Sequence, residues 1–388
     1  MAGIHGYCDQ RFHRVREAFA ENFASRGEIG ACVALVLEGK LVVDLWGGFA
    51  DFTQTRAWQQ DTLVNVWSLG KAMTGLNLLH AVDQELISYE TPIASVWPAF
   101  AANNKADITL GTILSHKAGL CAVETPLQPA DFFNWQRMTS ALAAQKPFWT
   151  PGEYHGYHTN TLGFLAGEPL CRVSGETFNG YFQRNLMQPL GTDFHFGVPE
   201  QDLHRVADIA NAPRPPEFAN RILGENPDLN DPLTRMRQLV YQNPGFEQSG
   251  DNGLNSVNWR RSVFPSTAPH SNARSIATIF GWLASILNTQ QSDIVSKDNL
   301  RLATQIHADG EDRVMQRPTR FGYGFQLTQP DRPLGPHSAT FGHYGNGGHL
   351  GFADPDVPLG FSYNMNLHGF AWRDPRNIAL TDAVYDSL

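Results

Sequence analysis

Residues 31–37 (ACVALVL) and 41–46 (LVVDLW) are β-branched and apolar, and the turn Glu38-Gly39-Lys40 between them predicts a hairpin. Over residues 66–86 the rhythm changes: Leu69, Ala72, Met73, Leu76, Leu79, Val82 and Leu86 recur at helical spacing and predict a long, largely buried helix. Gly70 and Gly75 inside it each cost about 1 kcal/mol relative to Ala, so a neighbour is expected to pack closely there. Residues 87–266 are rich in Pro and Gly, with short amphipathic helices expected around 110–114, 131–145 and 178–187. Within that stretch, 211–253 is too polar and turn-rich for a core and reads as a surface excursion bordering a cleft. A helix over 271–287, with Ser271 or Asn272 as its N-cap, restores order. Strands are expected at 323–327, 339–343 and 360–365, and a last helix at 375–387. Strands at both ends with helices between imply one sheet assembled from the two chain termini. The expected division is therefore a discontinuous α/β region, 1–86 with 267–388, and a helical, loop-rich region, 87–266, inserted between.

Composition narrows the possibilities. The 388 residues are 42% hydrophobic and 17% charged, enough apolar material for a large core, and no internal repeat is visible. With 29 Lys+Arg against 38 Asp+Glu, a net charge of -9 and no basic cluster, the chain offers no footprint for nucleic acid. No apolar run approaches the roughly 20 residues that cross a bilayer, and the first residues carry no apolar leader, so a cytoplasmic protein without membrane partner is expected. Cys8, Cys32, Cys121 and Cys171 are scattered without CxxC spacing and are expected as reduced thiols. His155, His158, His343 and His349 form no recognisable ligand motif, so neither metal nor cofactor is expected.

Three segments carry candidate chemistry. Ser68 and Lys71, three apart at the start of the buried helix, share one face and can meet within a turn. A serine hydroxyl needs a base to become a nucleophile, and a lysine serves only where burial or positive neighbours lower its pKa. The segment 151–163 (PGEYHGYHTNTLG) holds Tyr154 and Tyr157, either of them packing residues or a phenol that shuttles a proton. Segment 341–351 (FGHYGNGGHLG) has the glycines of a nucleotide loop, but fewer than forty residues follow it, too few for βαβ units. A glycine-rich strand edge can instead aim backbone N–H groups at an oxyanion. No G-x-S-x-G elbow is present, which argues against an α/β-hydrolase.

In order, these pieces resemble the serine β-lactamase-like superfamily, and within it the family VIII carboxylesterases related to class C β-lactamases. The resemblance spans almost the whole chain: Ser68-Leu69-Gly70-Lys71 as S-x-x-K, 108–120 (ITLGTILSHKAGL), Pro151-Gly152 followed by Tyr157, Pro189 to Gly191, the helix NARSIATIFGWLA, and FGYGFQL preceding FGHYGNGG. It implies a β-lactamase/DD-peptidase-like fold of α+β type, an antiparallel sheet flanked by helices with a helical lobe inserted. It further implies Ser68 as the acylated nucleophile, Lys71 as its base or relay, and Tyr157 as the catalytic tyrosine. The N–H groups of Ser68 and Asn346 would form the oxyanion hole, with His343 and Gly345 beside the substrate. Two departures stand out: Tyr157-His158-Thr159 replaces tyrosine-x-asparagine, and His343-Tyr344-Gly345 replaces lysine-threonine-glycine. Histidine is mostly neutral at pH 7, so a small, short-acyl, neutral ester is the expected substrate. A β-lactamase or peptidase, an amidase or acyltransferase, and a catalytically silent binding protein are the alternatives; oligomeric state is left open.

Overall fold

The computed structural model describes residues 3–213, 227–288 and 292–388. Its centre is a nine-stranded antiparallel sheet drawn from both ends of the chain. The order across it is Ile4–Cys8, Lys40–Gly48, Gly30–Leu37, Leu359–Met365, Leu350–Asp354, Phe341–Tyr344, Gln326–Leu327, Arg317–Phe321 and Ala308–Asp312. The predicted hairpin and the strand at 359–365 are thus direct neighbours, with Val33 opposite Tyr363 and Leu35 opposite Phe361.

Gly30–Leu37 lacks polar alternation because both its faces are covered. Ala31, Val33 and Leu35 join Val15, Phe19, Leu380 and Val384 of the helices His13–Ser25 and Pro375–Tyr385 in one core. Cys32, Ala34 and Val36 face the opposite core, with Ile276, Phe280 and Leu283 of the helix Ala273–Asn288. That helix is capped by Asn272, whose Oδ1 accepts from the Ser275 N–H at 2.9 Å. Behind it lies Leu69–Asp83, the helix predicted at 66–86, which packs on Leu162–Ser174. The close neighbours expected at its glycines are present: Pro265 and Pro269 lie against Gly70, and the Tyr323-Gly324 backbone lies against Gly75.

Several elements were not foreseen. Ile4–Cys8 is an exposed edge strand, and the hairpin Ala308–Asp312 with Arg317–Phe321 is mostly polar, so neither carries an apolar signal. The excursion at 211–253 is not all loop: Pro232–Gln242 is a helix burying Met236 and Val240. Residues 214–226 of that excursion lie outside the described ones. Among the described residues no helix is long and apolar enough to cross a membrane. All four cysteines are free thiols; Cys32 and Cys121 are buried, and burial pushes the Cys32 thiol up to about 12.

The helix Ala273–Asn288 approaches the sheet so closely that a Cβ at Gly360 would strike the backbone of Gly281. Gly360→Val is expected to destabilise the protein by about 3 kcal/mol or more, since forced overpacking moves backbone as well as side chains. Chemical denaturation measures this, and an unchanged midpoint with unchanged slope would contradict the close approach.

Candidate active site

Trp67 carries the chain into the helix Leu69–Asp83 with φ of 52°, a left-handed conformation that is costly for a bulky residue. The indole is anchored, its Nε1 donating to His368 Nε2 at 3.2 Å. Ser68 follows with φ -68° and ψ -4°, half-buried at the start of Leu69–Asp83. This places its N–H and its hydroxyl at the positive end of the helix, a setting that favours developing negative charge.

One turn on, Lys71 is fully buried, and its Nζ donates to Ser68 Oγ at 3.0 Å and to the Ser266 carbonyl at 2.9 Å. Desolvation drives its pKa well below the ordinary lysine value. No carboxylate pairs with it among the described residues, so burial acts on the charged form unopposed. The ammonium position is 4.7 Å from the centroid of the Tyr157 ring, which brings together the first three residues of the predicted site.

Tyr157 is buried, and among the described residues no partner meets hydrogen-bond geometry with its hydroxyl, the nearest candidate being the Ser68 side chain. Burial raises the phenol pKa above its ordinary value, with the nearby Ser68 side chain opposing the shift, so Tyr157 is a neutral phenol at physiological pH. Its position is set by a carboxylate that sequence reasoning missed. Asp312, fully buried, accepts from the Tyr157 N–H through both oxygens, at 3.0 and 3.1 Å. The same carboxylate accepts from Val314 N at 2.8 Å, Met315 N at 2.9 Å and Thr319 Oγ1 at 2.9 Å. One side chain therefore fixes the tyrosine and the hairpin turn beside it. No sequence signal marks it, because the two residues are 155 positions apart.

The residues around the tyrosine explain its departure from the family pattern. His158 turns away from the cavity: its Nδ1 donates to the Gly156 carbonyl at 2.7 Å and its Nε2 accepts from Leu120 N at 3.1 Å. This fixes one neutral tautomer, and burial pushes its pKa down to about 4. Thr159 and Asn160 both reach the cavity wall, and Asn160 Oδ1 accepts from Thr267 Oγ1 at 3.1 Å. An asparagine is thus present on the wall, one position later than the family pattern has it. Tyr154, the other tyrosine of this segment, is exposed and stacks under Arg313, away from Ser68.

Across the cleft, Phe341–Tyr344 runs into the turn Asn346–Gly348. Gly345 N donates to the His349 carbonyl at 2.8 Å, which leaves Asn346 exposed at the tip. Gly347 has φ of 82°, and a Cβ there would run into His368. The C-terminal helix secures the turn: Asn377 Nδ2 donates to the Gly348 carbonyl at 2.8 Å, and Arg376, ion-paired to Asp374 and Glu28, reaches the Gly347 carbonyl at 3.5 Å. Neither the Ser68 nor the Asn346 N–H donates to any acceptor among the described residues, and both residues line the same cavity. Two unengaged N–H groups on opposite rims are what an oxyanion needs.

His343 and Gly345 are not brought to that wall. Both are buried behind it, and the His343 Nδ1 donates to the Tyr344 carbonyl at 2.6 Å. Burial, reinforced by Lys71, pushes the His343 pKa down to about 3, so it is neutral. The cavity itself holds about 440 Å³ and is walled by Trp67, Tyr241, Phe246, Leu254, Phe370 and Trp372 beside the polar residues already described. Tyr241 and Phe246 come from the excursion expected to border a cleft, and they do.

Comparison with known proteins identifies the family and the fold. The β-lactamase family model matches residues 15–385. The chain is 31% identical over 372 residues to "Esterase/beta-lactamase LipL" of Mycobacterium tuberculosis, covering 94% of this chain and 83% of that one. Among solved structures, a family VIII carboxylesterase superposes with a TM-score of 0.89 at 35% identity over the full length of both chains. A penicillin-binding protein homologue from Caulobacter crescentus matches equally, with a TM-score of 0.89 and 35% identity over both whole chains. The family-model match and the shared antiparallel sheet place the chain in the β-lactamase family. Within it, the chain stands with the family VIII carboxylesterases.

Proposed function

We propose that this serine ester hydrolase works through an acyl-enzyme on Ser68, with Lys71 as base and Tyr157 as proton donor. The observation that carries the reading is the 3.0 Å contact between Ser68 Oγ and a buried lysine that no carboxylate among the described residues holds in its charged form. Neutral Lys71 takes the hydroxyl proton as Ser68 Oγ attacks the ester carbonyl. The tetrahedral oxygen gains the N–H groups of Ser68 and Asn346, each such donor contributing about 3–4 kcal/mol to the transition state. Collapse breaks the bond to the alcohol oxygen. The Tyr157 phenol protonates that leaving group and is reprotonated from the Lys71 ammonium. Water then attacks the acyl-enzyme by the reverse sequence of proton movements. Neither metal nor cofactor enters any step.

A fluorophosphonate followed by peptide mass mapping tests the nucleophile. One label per chain on Ser68, and none on Ser68→Ala, is expected; an ester-hydrolysing protein unlabelled at Ser68 would falsify the mechanism. β-Lactam hydrolysis is a second reading, favoured by the relative named as both esterase and β-lactamase. Parallel rates on 4-nitrophenyl butyrate and a chromogenic cephalosporin rank the two, and the ester is expected to be the faster.

A further inference from the structure

His343 lies behind the wall and brings no charge to the cleft, yet the cleft is not uncharged. Its described lining contains three arginines, Arg237, Arg317 and Arg332, and no Asp or Glu. They arrive from three separate places: the helix Pro232–Gln242, the strand Arg317–Phe321, and the loop that follows Gln326–Leu327. Two are held in place by the protein. Arg237 Nε donates to the Val314 carbonyl at 3.0 Å, and the Arg317 guanidinium lies 4.6 Å over the Trp372 ring. Arg332 is half-buried on the cavity wall, and no ion pair or side-chain hydrogen bond engages its guanidinium among the described residues. A chain of net charge -9 has thus gathered cations at the one cavity that contains its nucleophile. Walls of low dielectric focus such a field on whatever enters.

We infer that the cleft selects esters carrying a carboxylate away from the scissile bond, with Arg332 as the principal anchor of that carboxylate. This rests on the ester-hydrolase reading above and changes its substrate class from neutral to anionic. A guanidinium offers a planar pair of donors that matches a carboxylate, and here the aromatic walls dehydrate the contact. The charge contributes to binding and steering and leaves the chemistry at Ser68 unchanged, so it acts through kcat/KM and weakens with salt.

Two matched ester pairs test this. The first varies the acyl side, the mono-4-nitrophenyl ester of adipic acid against 4-nitrophenyl hexanoate; the second varies the alcohol side, 4-acetoxybenzoate against 4-acetoxybenzamide. In at least one pair the anionic member is expected to have about tenfold higher kcat/KM at low salt, the size of one good charge-assisted contact. That preference should shrink in 0.5 M salt, collapse in Arg332→Gln and return in part in Arg332→Lys. No preference for the anion in either pair, or a preference that Arg332→Gln leaves intact, overturns the inference while turnover of the neutral esters leaves the hydrolase reading standing. Failure to turn over all four esters overturns both.

Discussion

Replacing Lys71 by methionine is expected to lower kcat/KM for 4-nitrophenyl butyrate by about 10³-fold or more, at the upper end of general-base contributions. The methionine is close in volume and apolar, so it suits the site that now holds a fully buried ammonium stem, and folding is expected to survive. The loss is therefore chemical: Ser68 keeps its place at the helix start but has no acceptor for its proton. The pH profile makes the same point in wild-type protein. Only neutral Lys71 is a base, and desolvation lowers its pKa, so activity rises with pH through the folded-state pKa and is already high well below the ordinary lysine range. Lys71→Arg is expected to be as inactive as the methionine variant, because guanidinium stays protonated across the working range. A basic limb near the unperturbed lysine value, or an arginine variant with appreciable turnover, would sink the assignment. Steady-state kinetics from pH 5 to 10 read both.

The second large effect is expected from a residue with no contact to substrate. Asp312→Ala removes the acceptor for three backbone N–H groups and the Thr319 hydroxyl, all buried except the half-buried Met315 N–H. A buried donor left unpaired costs about 1–3 kcal/mol, so several kcal/mol of stability are at stake. Asp312→Asn keeps one acceptor oxygen and is expected to fold, while Tyr157 loses half of its anchor. In that variant kcat is expected to fall about tenfold or more with little change in KM, because a misplaced phenol affects leaving-group protonation and not ground-state binding. Asp312 is a positioning residue, and the discriminating readout is a split between substrates. An ester with a good leaving group such as 4-nitrophenol should suffer less than an alkyl ester that needs the proton. Equal losses on both, or a fall in KM alone, would count against this role.

How much of this was legible beforehand follows from the reach of each interaction. The Ser68–Lys71 pair is local, one helical turn, and apolar spacing around it announced burial. Gly70 and Gly75 announced close neighbours without naming them, and Pro265 and Tyr323 proved to be those neighbours. Tyr157 could be singled out by its motif, but its proximity to Lys71 depends on a buried carboxylate far along the chain. His343 was expected at the substrate, and its place in the motif could not reveal that the strand turns it inward.

The sequence by itself determined the elements whose signals are periodic or local: the hairpin, the buried helix with Ser68 and Lys71 at its start, and the glycine-rich turn. Their order along the chain also implied that the two ends fold into one sheet, since the Ser68–Lys71 pair and the glycine-rich turn at 345–348 lie at opposite ends. Tertiary structure alone decided what the cleft is lined with. Asp312 behind the tyrosine and Arg332 on the wall are polar residues in weakly patterned segments. The former is buried only because distant N–H groups converge on it, and the latter faces the cavity only because separate elements meet there. Apolar periodicity records which face of an element is covered. It carries no record of which polar residues from elsewhere will do the covering.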